Sequence, residues 1–247
     1  MVNSTEPIAG KITVVGLGPG RPGLMTREAW QRMREAEHLY LRTAIHPTVA
    51  ELRAASLAFS SYDDFYEKAT DFASLYQSIA ADLIKKAKQG ESFVYAVPGS
   101  PLVAEQTVVL LRKMADAERI ALEILPGMSF VEVFYTALGI DPIQGLAIID
   151  AADVARLPQA QGLGRIITQV YSRQVASNLK LSMMDFMKDE QEIIYVRHLG
   201  MEDEELRRIP LYELDRQPDI DHLTSLYVPP VRNIKKWGQS KFLCASP

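Results

Sequence analysis

Ile12-Thr-Val-Val-Gly-Leu-Gly-Pro-Gly20 is the stretch that decides the fold. An apolar, β-branched run ending in a glycine-proline elbow reads as a buried strand that stops at a tight turn. The pattern returns at Phe93-Val-Tyr-Ala-Val-Pro-Gly-Ser-Pro101 and at Leu122-Glu-Ile-Leu-Pro-Gly-Met-Ser129. In an open α/β sheet, ligands sit outside the carboxyl ends of the strands, where glycine removes the Cβ and exposes bare backbone. Three elbows placed alike are expected to line one side of a pocket.

Working outward, Thr26 reads as the N-cap of a helix carrying Ala29, Trp30, Met33 and Ala36 on one face, and His38 to Leu41 as a second strand. Pro47 suits the first turn of a helix running through Leu52, and Leu57 to Phe59 read as a short third strand. Residues 65–90 are helical, with a break near Thr70-Asp71. Strand 93–97 is apolar on both faces and therefore central; a helix over 102–115, with Val103, Thr107, Leu110, Leu111 and Met114 inward, and strand 120–125 complete a doubly wound lobe over 11–126. A second lobe over 127–230 starts with a helix from Ser129 to Leu138, closed by Gly139. Its strands at 145–149, 165–171, 192–198, 209–212 and 223–228 surround one helix, 173–187, which suggests a mixed sheet. A flexible leader, 1–10, and a basic tail, 231–247, flank the two lobes.

Of 247 residues, 47% are hydrophobic and 23% charged, the composition of an ordinary globular protein. A net charge of -4 argues against nucleic acid as a partner, because phosphate binding needs a concentrated basic face. The lone cysteine, Cys244, excludes an internal disulfide and fits a reducing cytoplasm. No stretch approaches the roughly 18 apolar residues of a membrane span, and the start lacks the features of a signal peptide.

Several chemistries find little or no support in these residues. Gly16-x-Gly18-x-x-Arg21 lacks the third glycine of a dinucleotide fingerprint, and Pro19 removes an amide that would cradle a pyrophosphate. No Gly-Lys-Ser/Thr follows a glycine-rich turn, which rules out a P-loop. Histidines 38, 46, 198 and 222 have no metal-ligand spacing, so no metal is expected. Ser100 has no assignable histidine, and Asp63, Asp64 and Glu67 read as a solvated helix start. A pocket of backbone and small apolar groups remains. It suits methyl transfer from a sulfonium, in which catalysis rests on positioning reactants about 3 Å apart.

The runs Val14-Val-Gly-Leu-Gly-Pro-Gly20, Val94-Tyr-Ala-Val-Pro-Gly-Ser-Pro-Leu-Val-Ala-Glu105 and Glu123-Ile-Leu-Pro-Gly-Met-Ser-Phe130 resemble the three signature motifs of the tetrapyrrole (corrin/porphyrin) methylase family. They are most similar to the methylase-like N-terminal domain of proteins fused to a MazG-type nucleotide pyrophosphohydrolase. Tyr40-Leu-Arg-Thr43, Gly139-Ile-Asp-Pro-Ile143 and Leu223-Thr-Ser-Leu-Tyr-Val-Pro-Pro230 extend the resemblance over residues 10–230.

The resemblance implies two α/β lobes with S-adenosylmethionine in the cleft between them, and a homodimer. Carried onto this chain, the cofactor contacts fall on Leu17 in the first loop, on Pro98, Gly99, Ser100, Pro101, Leu102 and Val103, and on Ser129 and Phe130. In the second lobe they fall on Val170, Tyr171, Arg197, His198 and Pro229. Where many members have Gly-Asp-Pro, this chain has Gly99-Ser-Pro101, and Arg21 replaces a common aspartate. Both departures bear on the acceptor, a tetrapyrrole-like small molecule or a peptide. Peptide N-methyltransferases of this fold use tyrosines and an arginine; Tyr66 and Tyr76 stand in similar places, with Phe72 where the arginine is sought. The alternative from another class is a non-catalytic cofactor-binding regulatory or scaffold domain.

Overall fold

A computed structural model describes residues 9–230 except Thr70. The expected tail, and all but the end of the expected leader, lie outside the described residues. Two compact units emerge: the residues up to Ile140 with His198–Glu204, and Asp141–Arg197 with the residues from Glu205 on. The sequence reading drew its division at 126/127. The compact units divide after Ile140, and the turn at 198–204 groups with the first.

The first unit holds a five-stranded, wholly parallel sheet. Its strands are β1 (Ile12–Gly16), β2 (Leu39–Leu41), β3 (Ser60–Ser61), β4 (Phe93–Val97) and β5 (Leu122–Ile124), in the spatial order β3-β2-β4-β1-β5. β4 is central and every residue in it is buried, as its two apolar faces require. Helices α1 (Arg27–Glu35) and α2 (Val49–Ala54) cover one face, where Ala29, Met33 and Leu52 meet Val15, Leu41 and Ala96. On the other face, α4 (Phe72–Lys88) and α5 (Gln106–Ala117) bring Leu83 and Leu111 onto Ile12 and Tyr95. Truncating a side chain buried as fully as Leu83 costs about 2–5 kcal/mol.

Helix ends follow their capping chemistry. Thr26 Oγ1 accepts from the Ala29 amide at 3.1 Å. α3 (Asp63–Lys68) and α4 are separated at the expected break, with Asp71 capping α4 by accepting from Ser74 N at 2.8 Å. α6 (Phe130–Leu138) begins with a Ser129/Glu132 capping box and ends at Gly139, φ 62°.

Three boundaries differ from the sequence reading. α5 begins at Gln106 and not 102, because Ala104 is left-handed (φ 56°) and Glu105 serves as N-cap; Leu102 and Val103 are loop residues. β3 forms at Ser60–Ser61, while Leu57 and Phe59, expected as the strand, pack beside the helical face. Only backbone pairing with Tyr40 and Leu41 defines this edge strand. β9 occupies Glu205–Pro210, and Leu211–Arg216, partly expected as strand, is a 3-10 helix that buries Leu211 and Leu214.

The second unit has a mixed sheet of β6 (Leu146–Asp150), β7 (Gly164–Thr168), β8 (Glu192–Arg197), β9 and β10 (Thr224–Val228). Its order is β6-β7-β10-β8-β9, parallel only between β6 and β7. α7 (Arg173–Met184) sets Ala176, Leu179 and Met183 against Ile167, Tyr195 and Leu226. No helix among the described residues is long and apolar enough to cross a membrane.

Candidate functional site

The three glycine elbows of the first unit touch one another. Parallel pairing of β1 with both β4 and β5 brings their carboxyl ends side by side. Gly99 N donates to Gly18 O at 2.8 Å, Gly18 N returns to Gly99 O at 3.2 Å, and Leu17 N donates to Val97 O at 2.8 Å. Contact is closest where side chains are missing. A Cβ on Gly16 would lie 2.2 Å from Gly99 O, and one on Gly127 would lie 2.9 Å from Pro101 Cδ and 3.2 Å from Ser100 Cα. These two glycines let the elbows nest. Gly99 differs: it is left-handed at φ 67°, and a Cβ there meets nothing within 4 Å. Its Cα opens on free space, as a backbone surface for a ligand must.

Other side chains hold the first loop in place. Buried Thr48 donates from Oγ1 to Leu17 O at 3.1 Å and to Gly20 O at 3.2 Å. His46 Nδ1 accepts from Thr48 N at 3.3 Å. Burial drives the His46 imidazole down from 6.5 to about 4, Arg42 adds to the fall, and interaction with the Gly18 backbone opposes it. His46 is therefore neutral at pH 7.

The candidate residues of the first unit separate by exposure. Leu17, Ser100, Pro101 and Ser129 are buried, and Ser129 Oγ is committed to its capping box. Pro98, Gly99, Val103 and Phe130 are half-buried, while Leu102 is 58% exposed. Backbone contacts are open to the buried members, and Leu102 offers an apolar side chain. His198 groups with this unit, left-handed at φ 52° and within 2.5 Å of Asp203. The remaining candidates belong to the second unit. Val170 is core, Tyr171 is 55% exposed, Arg197 pairs with Asp221 at 2.9 Å, and the Pro229 carbonyl accepts from Arg165 at 3.3 Å.

Sequence reasoning missed a second constellation at the same sheet edge. Arg42 follows β2 directly, and its Nη1 donates to Glu105 Oε2 at 2.9 Å. Burial pushes the Glu105 carboxyl up, against the pull of Arg42 and Thr107. Burial lowers the Arg42 guanidinium, but Glu105 and the tyrosines around it outweigh that and leave it raised. Tyr66 on α3 and Tyr76 on α4 are the half-buried candidates from the sequence; both are pushed up by burial and pulled back by Arg42. Position 72 holds no arginine, and the cation that acts on both tyrosines is Arg42, which follows β2. Arg42 alone carried a local signal, since a charged residue just past an apolar strand sits where ligands bind; its pairing with Glu105 carried none. Asp63, read as solvated, is instead a tie. It accepts from Thr43 Oγ1 at 2.5 Å, Ser61 Oγ at 2.7 Å and Ala44 N at 2.8 Å.

The family model described as Tetrapyrrole (Corrin/Porphyrin) Methylases matches residues 11–215. The chain belongs to this family. Among curated relatives, the chain is 39% identical over 228 residues to the uncharacterized protein YabN of Bacillus subtilis (strain 168), covering 92% of this chain and 46% of YabN. It is 28% identical over 131 residues to a siroheme synthase of Pseudomonas fluorescens (strain SBW25), covering 52% of this chain and 27% of that one. The chain thus spans about half the length, or less, of these relatives. Among solved structures, uroporphyrin-III-C-methyltransferase from Thermus thermophilus superposes with a TM-score of 0.71 at 21% identity, covering 90% of this chain and 95% of that one. The methyltransferase CobJ gives 0.70 at 18% identity, covering 93% and 98%. At these identities the likeness is one of fold.

Proposed function

We propose that this chain is an S-adenosylmethionine-dependent methyltransferase whose cofactor rests on the nested elbows of the first unit. The open, left-handed Gly99 carries this reading, because its missing Cβ leaves bare backbone facing free space beside exposed Leu102. Bare backbone at Gly99 would hold the cofactor, and membership of the methylase family supports the choice of S-adenosylmethionine. When bound, the cofactor supplies an electrophilic methyl group on a sulfonium. The chain's own residues then do the positioning. Gly16 and Gly127 allow the elbows to nest, Thr48 fixes the first loop, and Pro98 to Val103 present backbone and the Leu102 side chain. The acceptor is a tetrapyrrole-like small molecule or a peptide, and the working protein is a cytoplasmic homodimer.

Calorimetry with S-adenosylmethionine should give saturable binding, and incubation with methyl-labelled cofactor and cell extract should label one acceptor. Absence of binding to folded protein would overturn the proposal.

The relation to YabN motivates a second reading. The chain matches 46% of that protein, which leaves room there for another module, in line with the resemblance to methylase-like domains fused to MazG-type pyrophosphohydrolases. In this reading the domain binds S-adenosylmethionine and regulates a pyrophosphohydrolase without transferring methyl groups. Cofactor binding with no labelled product would favour it.

A further inference from the structure

The parallel sheet of the first unit has an open edge that cofactor binding leaves unused. β5 is its last strand and pairs with β1 alone. Ile12 N donates to Ala121 O at 2.9 Å, and Leu125 N to Val14 O at 2.9 Å. Backbone groups alternate sides along a strand, so Glu123 also turns to β1, while the N–H and C=O of Leu122 and Ile124 point away from it. None of these outward groups has a hydrogen-bond partner among the described residues. A bare row of donors and acceptors is a template for another strand.

A groove of about 580 Å³ runs beside this edge. Ile120, Leu122 and Ile124 line one side, and α5 supplies the other through Val109, Arg112, Lys113 and Asp116. Spacings of three, one and three residues put these four on one stripe of the helix. All four are exposed, so the groove has an apolar floor under a charged rim. Two cations stand there against one acid, and neither cation has an ion-pair partner among the described residues.

Charge selects the occupant. A carboxylate entering the groove finds Arg112 and Lys113 free to meet it. A second copy presenting the same edge would set these cations against themselves, and residues 231–247 carry Arg232, Lys235, Lys236 and Lys241 with no acid. Like charges disfavour both.

We propose that β5 and α5 form a docking edge for an extended acidic segment of a partner protein. The segment joins the sheet beside β5 through main-chain hydrogen bonds to Leu122 and Ile124, lays apolar side chains on the groove floor, and offers a carboxylate to Arg112 and Lys113.

A capped, fluorescein-labelled peptide Thr-Val-Thr-Glu-Thr-Val-Thr puts two valines and the glutamate on one face of a strand. Its twin carries lysine in place of glutamate. By fluorescence anisotropy, the glutamate peptide should bind about tenfold or more tighter than its twin and weaken as salt is added. The double variant Arg112→Glu, Lys113→Glu changes two exposed helix positions and should reverse that order. N-methylating the threonine amides in one peptide, and the valine and glutamate amides in another, tests the strand pairing. One pattern should abolish binding and the other keep it, because alternate amides face β5. Binding of neither parent peptide, equal affinity for both, an unchanged order in the double variant, or equal effects of the two methylation patterns overturns the proposal. A dimer of the parent that the double variant splits in sedimentation would assign the edge to a second copy, and overturns it too. Should the double variant not fold, the methylated peptides decide on the parent protein.

Discussion

Gly99→Leu should abolish S-adenosylmethionine binding and leave the fold in place. Two effects of the substitution can be separated. Within the protein there is room, because a Cβ at Gly99 meets no atom within 4 Å. The internal cost is the left-handed backbone, φ 67°, which an L side chain adopts at about 1–2 kcal/mol. For a domain of this size, each kcal/mol moves the melting temperature by roughly 2–4 °C, so a fall of about 2–8 °C is expected with native circular dichroism. Toward the ligand there is no room, since the leucine side chain projects into the space that the bare Cα leaves open. A loss of at least about 100-fold follows, worth roughly 2.8 kcal/mol of binding. Gly16→Ala is the matched control with the opposite symptom. Its Cβ would lie 2.2 Å from Gly99 O, closer than real contacts allow, so folding should fail before binding can be measured. Ser100→Ala should weaken binding by about tenfold or less, the scale of one hydrogen bond. Calorimetry on the folded leucine variant decides. Wild-type affinity there would refute the reasoning and reduce the elbow to a turn.

Thr48→Val keeps the shape but removes the donor to Leu17 O and Gly20 O; it should cost about 1–2 kcal/mol and loosen cofactor binding, read by thermal melts and calorimetry. His46→Gln tests a pH dependence. The folded value of about 4 lies below the ordinary 6.5, so wild-type stability is complete above 6.5 and falls as pH drops toward 4. Relative to His46→Gln the parent should lose up to about 3 kcal/mol across that window, and parallel stability curves would refute the burial argument. Asp63→Asn should act at the other end. Burial raises this carboxyl, but its hydrogen bonds from Thr43, Ala44 and Ser61 outweigh that and leave it depressed. Its contribution is present above the ordinary carboxylate range and lost as pH falls through the folded value. The variant should be less stable at neutral pH, with the gap closing in acid; denaturant melts at several pH values would show a constant gap if the tie is irrelevant.

The elbows were legible because glycine and proline announce turns locally and each followed an apolar run. Central placement of β4 was legible from the same chemistry, since a strand apolar on both faces must be covered on both. The start of α5 was not. Leu102 and Val103 look helical, and only the left-handed Ala104 shows that the chain spends three more residues on a loop before Glu105 caps the helix. β3 was placed too early for a related reason. Leu57 and Phe59 have strand-like side chains, but an edge strand is defined by the backbone it pairs with, and that pairing fell on Ser60 and Ser61.

Arg42 and Glu105 were illegible for a stronger reason: they are 63 positions apart, and no local pattern links them. Strand order links them. β2 lies beside β4 in parallel register, with Leu41 opposite Ala96, so Arg42 leaves the sheet next to Val97 and meets the loop that β4 sends onward. β1 lies on the other side of β4 and brings Gly18 against Gly99. The loop after β4 therefore has neighbours on both flanks: Gly99 faces the glycine elbow of β1, and Glu105, six residues on, faces the arginine of β2. One connection of the sheet thus carries the proposed cofactor surface at its start and the Arg42–Glu105 ion pair at its end. A central strand in a parallel sheet is the element that can do this, because only there does a single loop have a strand end on either side.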